Sequence, residues 1–196
     1  MKGIAKLWLI TILIEMMIQS PLIAYDPEDI QYKFSLTDST LVFHGSFRTV
    51  SSPDCLLEIF FNYNHIKALA SEGMEVQLVD QGTDWSLIRY KFRRFIFFEN
   101  TSEWQRKLNR ENQVLDIKLV SSVNNQAAMP RMISSSGSFK VREQGDEIIV
   151  EYHQSCRLTK TLITELFLKI LRNEAIQFMQ KLMEYTNTNC IDKPVK

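Results

Sequence analysis

The chain reads as an α+β fold, a curved antiparallel sheet of about seven strands wrapped around a long C-terminal helix, with two short helices after the first strand. Three patterns predict it. Between residues 74 and 156, apolar residues recur at every second position in runs separated by turn residues, as in hairpin-linked strands with one buried face. From residue 162 to about 185 an apolar stripe at helical spacing runs without proline or glycine. Ahead of both, one strand-like run leads into a serine-proline pair suited to starting a helix.

The elements follow in order. In Leu41-Val42-Phe43-His44-Gly45-Ser46-Phe47-Arg48-Thr49, Leu41, Phe43, Gly45 and Phe47 alternate with His44, Ser46 and Arg48, which makes a strand. Ser52-Pro53-Asp54 then supplies a cap and an early proline, and Leu56, Leu57, Phe60, Phe61 and Ile66 continue at near-helical spacing. A break around Asn62-Tyr63-Asn64 divides that segment into two short helices or one kinked helix. Strand-like runs at 75–80 and 85–98 are joined by Gln81-Gly82-Thr83-Asp84, those at 102–109 and 113–122 by Arg110-Glu111-Asn112, and those at 133–143 and 147–156 by Gln144-Gly145-Asp146. Residues 123–131 form a longer connection with the length of a flap. In the last helix Ile163, Phe167, Ile170, Leu171, Glu174, Phe178 and Leu182 share one face. The domain is expected over 40–187, with a tail at 188–196.

Residues 1–24 carry Lys2 and Lys6, an apolar run from Leu7 to Ile14, and Ser20-Pro21-Leu22-Ile23-Ala24, the layout of a secretory signal peptide. Export to the periplasm or the medium is therefore expected. An uncleaved anchor is the alternative, although Glu15, Gln19 and Pro21 make the segment a poor membrane helix. Residues 25–39 read as a leader without sustained period.

Composition narrows the function. At 196 residues the chain can bury one sizeable core, and 45% hydrophobic with 23% charged residues disfavours both disorder and a polytopic membrane protein. Lys+Arg 23 against Asp+Glu 23 removes the long-range attraction on which non-specific nucleic-acid binding depends, so no nucleic-acid partner is expected. Cys55, Cys156 and Cys190 lie far apart and form no metal-ligand cluster with His44, His65 and His153, so neither a metal nor another cofactor is expected. An odd cysteine count permits one internal disulfide at most and leaves a thiol; spacing does not say which two would pair. Phosphate-binding glycine loops and nucleophile elbows are absent.

The order of elements, with Leu41-Val42-Phe43-His44-Gly45-Ser46-Phe47 running into Ser52-Pro53-Asp54, then Trp85-Ser86-Leu87-Ile88-Arg89-Tyr90-Lys91-Phe92, and a helix holding Leu166-Phe167-Leu168-Lys169-Ile170-Leu171, resembles the helix-grip fold of the START-like (SRPBCC) superfamily. That superfamily includes steroidogenic lipid-transfer domains, the major birch-pollen allergen, aromatic polyketide cyclases and coenzyme Q-binding chaperones. The resemblance implies a cavity between sheet and helix for a lipid or other apolar molecule, with enzymes a minority.

A bent sheet around one helix must fill its middle with large side chains or leave it hollow. The apolar strand phases place Phe43 and Phe47, Ile88, Tyr90 and Phe92, Trp104, Leu115, Ile117 and Leu119, Phe139 and Val141, and Ile148, Val150 and Tyr152 on the inner face. The candidate ligand-binding set takes Tyr90, Phe92, Trp104, Ile117 and Tyr152 from the sheet and Phe167, Leu171 and Phe178 from the helix, with Arg94, Arg106 and Glu174 as polar members. A buried carboxylate at Glu174 needs a partner, which Arg94 or Arg106 would supply; either arginine could instead hold a ligand carboxylate or phosphate. The expected function is binding or transport of a hydrophobic small molecule by a monomer, with membrane contact for ligand exchange. A cyclase- or dehydrase-like enzyme using the polar residues, or a protein-interaction module with a solid interior, are the alternatives.

Overall fold

A computed structural model describes residues 30–71, 73–94, 98–124 and 129–190, with the side chains of Arg94 and Phe98 outside that description. Residues 1–24, expected to be a signal peptide, and the last residues of the tail also lie outside it. The elements are β1 (Ile30–Thr37), β2 (Thr40–Thr49), α1 (Pro53–Phe61), α2 (Tyr63–Leu69), β3 (Met74–Gln81), β4 (Trp85–Arg94), β5 (Phe98–Asn109), β6 (Val114–Asn124), β7 (Met132–Gln144), β8 (Glu147–Leu158) and α3 (Thr164–Asn189). The strands form one antiparallel sheet of eight in the order β1-β2-β8-β7-β6-β5-β4-β3. With α3 as its long helix, this is the helix-grip architecture that the sequence predicts.

Two expectations need correcting. Residues 30–37, read as leader, form a strand that pairs with β2 from Ile30↔Phe47 to Thr37↔Thr40, with Asp38 at φ 53° in the connecting turn. The run expected to continue from 85 to 98 ends at Arg94, which pairs with Phe98 of β5. The first adds a strand, the second shifts the boundary between β4 and β5, and neither changes the plan of the sheet. The C-terminal helix also runs past 187, through Asn189, and Cys190 is disulfide-bonded to Cys55.

Local chemistry explains the elements. The Ser52 side chain accepts from the Cys55 amide at 3.4 Å, with Pro53 in the first turn of α1, and Asn62 ends α1 while its side chain accepts from the Asn64 amide at 2.9 Å to start α2. Lys181 Nζ donates to the Leu69 and Ala70 carbonyls at 3.2 and 2.9 Å, which satisfies the end of α2 and ties it to α3. Register irregularities at Leu78/Asp80, Glu103/Trp104 and Met132/Ser134 are bulges of the kind that bend a sheet. Gly137 allows the close approach of β7 to β8, because a Cβ there would stand 2.4 Å from the His153 carbonyl oxygen.

Packing is concentrated in two clusters. The larger joins Phe43, Phe47, Leu57, Leu115, Val141 and Val150 to Met179, Leu182 and Met183 of α3; the smaller joins Leu41, Cys156 and Leu158 to Leu168. Part of the predicted inner face is thus solid, since Phe43, Phe47, Ile88, Leu115, Val141 and Val150 are buried side chains. Among the described residues, no helix is long and apolar enough to cross a membrane.

Candidate functional site

Both clusters border a cavity of about 390 Å³ between the sheet and α3. Its walls follow from strand period and helix pitch. On β5 the inward phase presents Asn100, Ser102, Trp104 and Arg106 in succession, and on β4 their neighbours Tyr90 and Phe92. On α3 the stripe read from the sequence supplies Phe167, Leu171, Glu174 and Phe178. Tyr152 of β8 and Ile117 of β6 complete the predicted set: ten of its eleven residues line the cavity, and the side chain of Arg94 lies outside the described residues.

Sequence reasoning passed over several lining residues. Ile59, Phe60 and Leu69 come from α1 and α2, whose apolar spacing predicted the helices without showing that they roof the cavity. Met129 and Pro130 belong to the connection singled out as a flap, and they too face the cavity. Gln154 and Cys156 continue the Tyr152 phase along β8, a signal present in the period-two pattern.

The aromatic wall is ordered by its own contacts. Phe139 stacks on Tyr152 with centroids 4.5 Å apart, Phe60 lies 4.9 Å from Phe139, and Phe178 meets Tyr152 at 6.0 Å. Polar atoms attached to these surfaces are mostly satisfied by the protein. Trp104 Nε1 donates to Ser102 Oγ at 2.9 Å. Tyr152 donates its hydroxyl to Gln154 Oε1 at 2.6 Å, Gln154 Nε2 donates to Ser135 Oγ at 3.2 Å, and Ser135 donates to the Ser155 carbonyl at 2.9 Å. Burial pushes ionisation of Tyr152 far above the ordinary tyrosine range, with Tyr90 adding to the effect, so the phenol stays protonated. Burial likewise pushes the Cys156 thiol up to about 12.

Arg106 is the exception to this economy of polar groups. It is only 7% exposed. Its Nη2 donates to the Phe60 carbonyl and its Nη1 to the Tyr90 hydroxyl at 3.3 Å, while Nε has no hydrogen-bond partner. Among the described residues it makes no ion pair: of the two partners expected for Glu174, Arg106 bonds instead to a helix-end carbonyl and a phenol, and the Arg94 side chain lies outside the described residues. Glu174 has an interaction of its own within the protein. No cluster of three or more metal-binding side chains occurs among the described residues.

No protein-family model matches the sequence, and no curated protein matches it. Solved structures do match. A STAR-related lipid transfer protein from Xanthomonas axonopodis superposes with a TM-score of 0.64 at 10% identity, over 83% of this chain and 96% of that one. The Zhui aromatase/cyclase from a Streptomyces species gives 0.61 at 8% identity, over 83% and 97%. Norcoclaurine synthase from Thalictrum flavum, in complex with dopamine and hydroxybenzaldehyde, gives 0.58 at 13% identity, over 82% and 99%. At such identities the likeness is one of fold: the chain has the START-like helix-grip fold.

Proposed function

We propose that this chain binds a lipid or other hydrophobic small molecule between its sheet and α3 and carries it outside the cytoplasm. The observation that supports this most is the hollow interior, about 390 Å³ walled by Tyr90, Phe92, Trp104, Ile117, Phe178 and their neighbours. That volume lies within the ordinary range of small-molecule sites, roughly 300–1,000 Å³, and the mix of aromatic surface with few polar groups is typical of them. Similarity in fold to a lipid transfer protein adds weight. An interaction module would have filled the same space with side chains. The export-like segment at 1–24 and the Cys55–Cys190 disulfide both favour an oxidising compartment outside the cytoplasm.

The cyclase-like alternative draws on fold similarity to an aromatase/cyclase and on the polar groups of the cavity. Tyr152 fits it poorly, because a phenol held protonated and already donating to Gln154 can orient a guest but cannot serve as a base at neutral pH.

Binding is tested with the neutral dye N-phenyl-1-naphthylamine, whose fluorescence rises in apolar surroundings. The purified chain should bind it saturably. Ala175→Trp places an indole in the cavity from α3 and should abolish dye binding while leaving the circular dichroism spectrum intact. Unchanged dye binding in that variant would place the dye elsewhere and remove the support for a cavity ligand.

A further inference from the structure

We infer that the guest is an amphiphile with a carboxylate head, and that Arg106 at the wall of the cavity is the group that reads it. This rests on the binding function proposed above and adds the chemical class of the ligand. A guanidinium carries five N–H donors and cannot lose its charge in a protein. Arg106 uses two of them, towards Phe60 and Tyr90, and leaves Nε with nothing to bond although the residue is only 7% exposed. Neither partner is an anion. A buried cation hydrogen-bonded only to neutral oxygens is costly, and a carboxylate is the group that removes the cost.

The surroundings point the same way. Ser86 pairs directly with Arg106 across β4 and β5, so both side chains leave the same face of the sheet. Its hydroxyl is likewise buried without a partner. The two orphaned side-chain polar atoms among the described residues thus belong to cross-strand neighbours, of which Arg106 lines the cavity and Ser86 does not. Arg106 lines the cavity and keeps N–H donors beyond the two it uses, which a carboxylate oxygen can accept. From Arg106 the same strand presents Trp104, Ser102 and Asn100, a track from an acid-binding position along an aromatic wall. One cation with neutral donors suits a single negative charge. Glu174, the acid on the cavity wall, belongs to α3 rather than to the strands around Arg106, and has its own interaction within the protein.

The experiment compares tetradecanoic acid with 1-tetradecanol, which share a chain and differ in the head, by displacement of N-phenyl-1-naphthylamine from the delipidated full chain at neutral pH, where the acid is ionised. The acid should bind at least about tenfold more tightly than the alcohol, the scale of a charge-assisted hydrogen bond in a buried site. Arg106→Gln should bring the acid to within about threefold of the alcohol, and Arg106→Lys should keep part of the preference. Equal affinities in the unmodified chain would overturn the inference while leaving a neutral-ligand container standing. An acid preference that survives Arg106→Gln would also overturn it. If the unmodified chain takes up neither dye nor either probe, the container fails with it. Should Arg106→Gln not fold, the acid-to-alcohol ratio of the unmodified chain and of Arg106→Lys decides.

Discussion

Cys55 sits in the first turn of α1 and Cys190 immediately after α3, and their bond closes a loop with a sequence separation of 135. Cross-linking so long a loop removes about 5 kcal/mol of chain entropy from the unfolded state at 25 °C in the simplest treatment. Measured losses on removing a native disulfide run at about 2–5 kcal/mol, so Cys55→Ser should destabilise by about 3–4 kcal/mol. At about 2–4 °C per kcal/mol for a domain of this size, Tm should fall by roughly 10 °C. Guanidinium unfolding followed by circular dichroism measures the change, with Cys190→Ser and the double variant as partners. Because both cysteines act through one bond, each single variant should lose the same amount and the double variant no more. A loss below about 1 kcal/mol, or a double variant that costs the sum of the singles, would refute the restraint reasoning.

Further outcomes follow from the same contacts. Thiol titration without reductant should find no reactive group in the native chain and one in denaturant, Cys156, because the remaining two cysteines are bonded and burial holds the Cys156 thiol near 12. Leu115→Ala should cost about 3–5 kcal/mol in denaturant unfolding, whereas Ile117→Ala, one step along the same phase of β6, should cost less than half of that because Ile117 already faces the cavity. His153 is held below its ordinary value of 6.5 by burial first and by the His44 ring 4.3 Å away second. Its contribution is therefore complete above pH 6.5 and is lost as pH falls from there towards the depressed value, when the unfolded chain takes up the proton first. His153→Gln should flatten the pH dependence of the unfolding midpoint across that window. In NMR titrations His44→Gln should raise the His153 midpoint only in part, since burial remains.

Much of this was legible in the sequence because period and pitch report which face is buried. The Phe167–Phe178 stripe and the Tyr90, Phe92 and Tyr152 phases needed no knowledge of tertiary structure to be placed on one surface. β1 escaped because Gln31 to Thr37 are exposed, so nothing there contrasts a buried face with a solvated one; the alternation of Tyr32, Phe34 and Leu36 was its faint trace. Pairing with β2 and the cover of Arg172, 4.8 Å above the Phe34 ring, hold it instead. The boundary between β4 and β5 escaped because the sequence between Arg94 and Phe98 carries no glycine, proline, asparagine or aspartate. The partner of Arg106 was beyond reach for a different reason. Its donors go to the Phe60 carbonyl at the end of α1 and to a phenol two positions along the neighbouring strand phase, and only the assembled fold brings these together. The same holds for Cys55 and Cys190, whose pairing depends on where α1 and α3 meet.

The most direct test of a hollow, occupied interior is organic extraction and mass spectrometry of the chain purified from its host. A recoverable apolar molecule, absent from the Ala175→Trp variant prepared in parallel, is the expected result. Empty extracts from repeated preparations, together with no uptake of N-phenyl-1-naphthylamine by the unmodified chain, would contradict it.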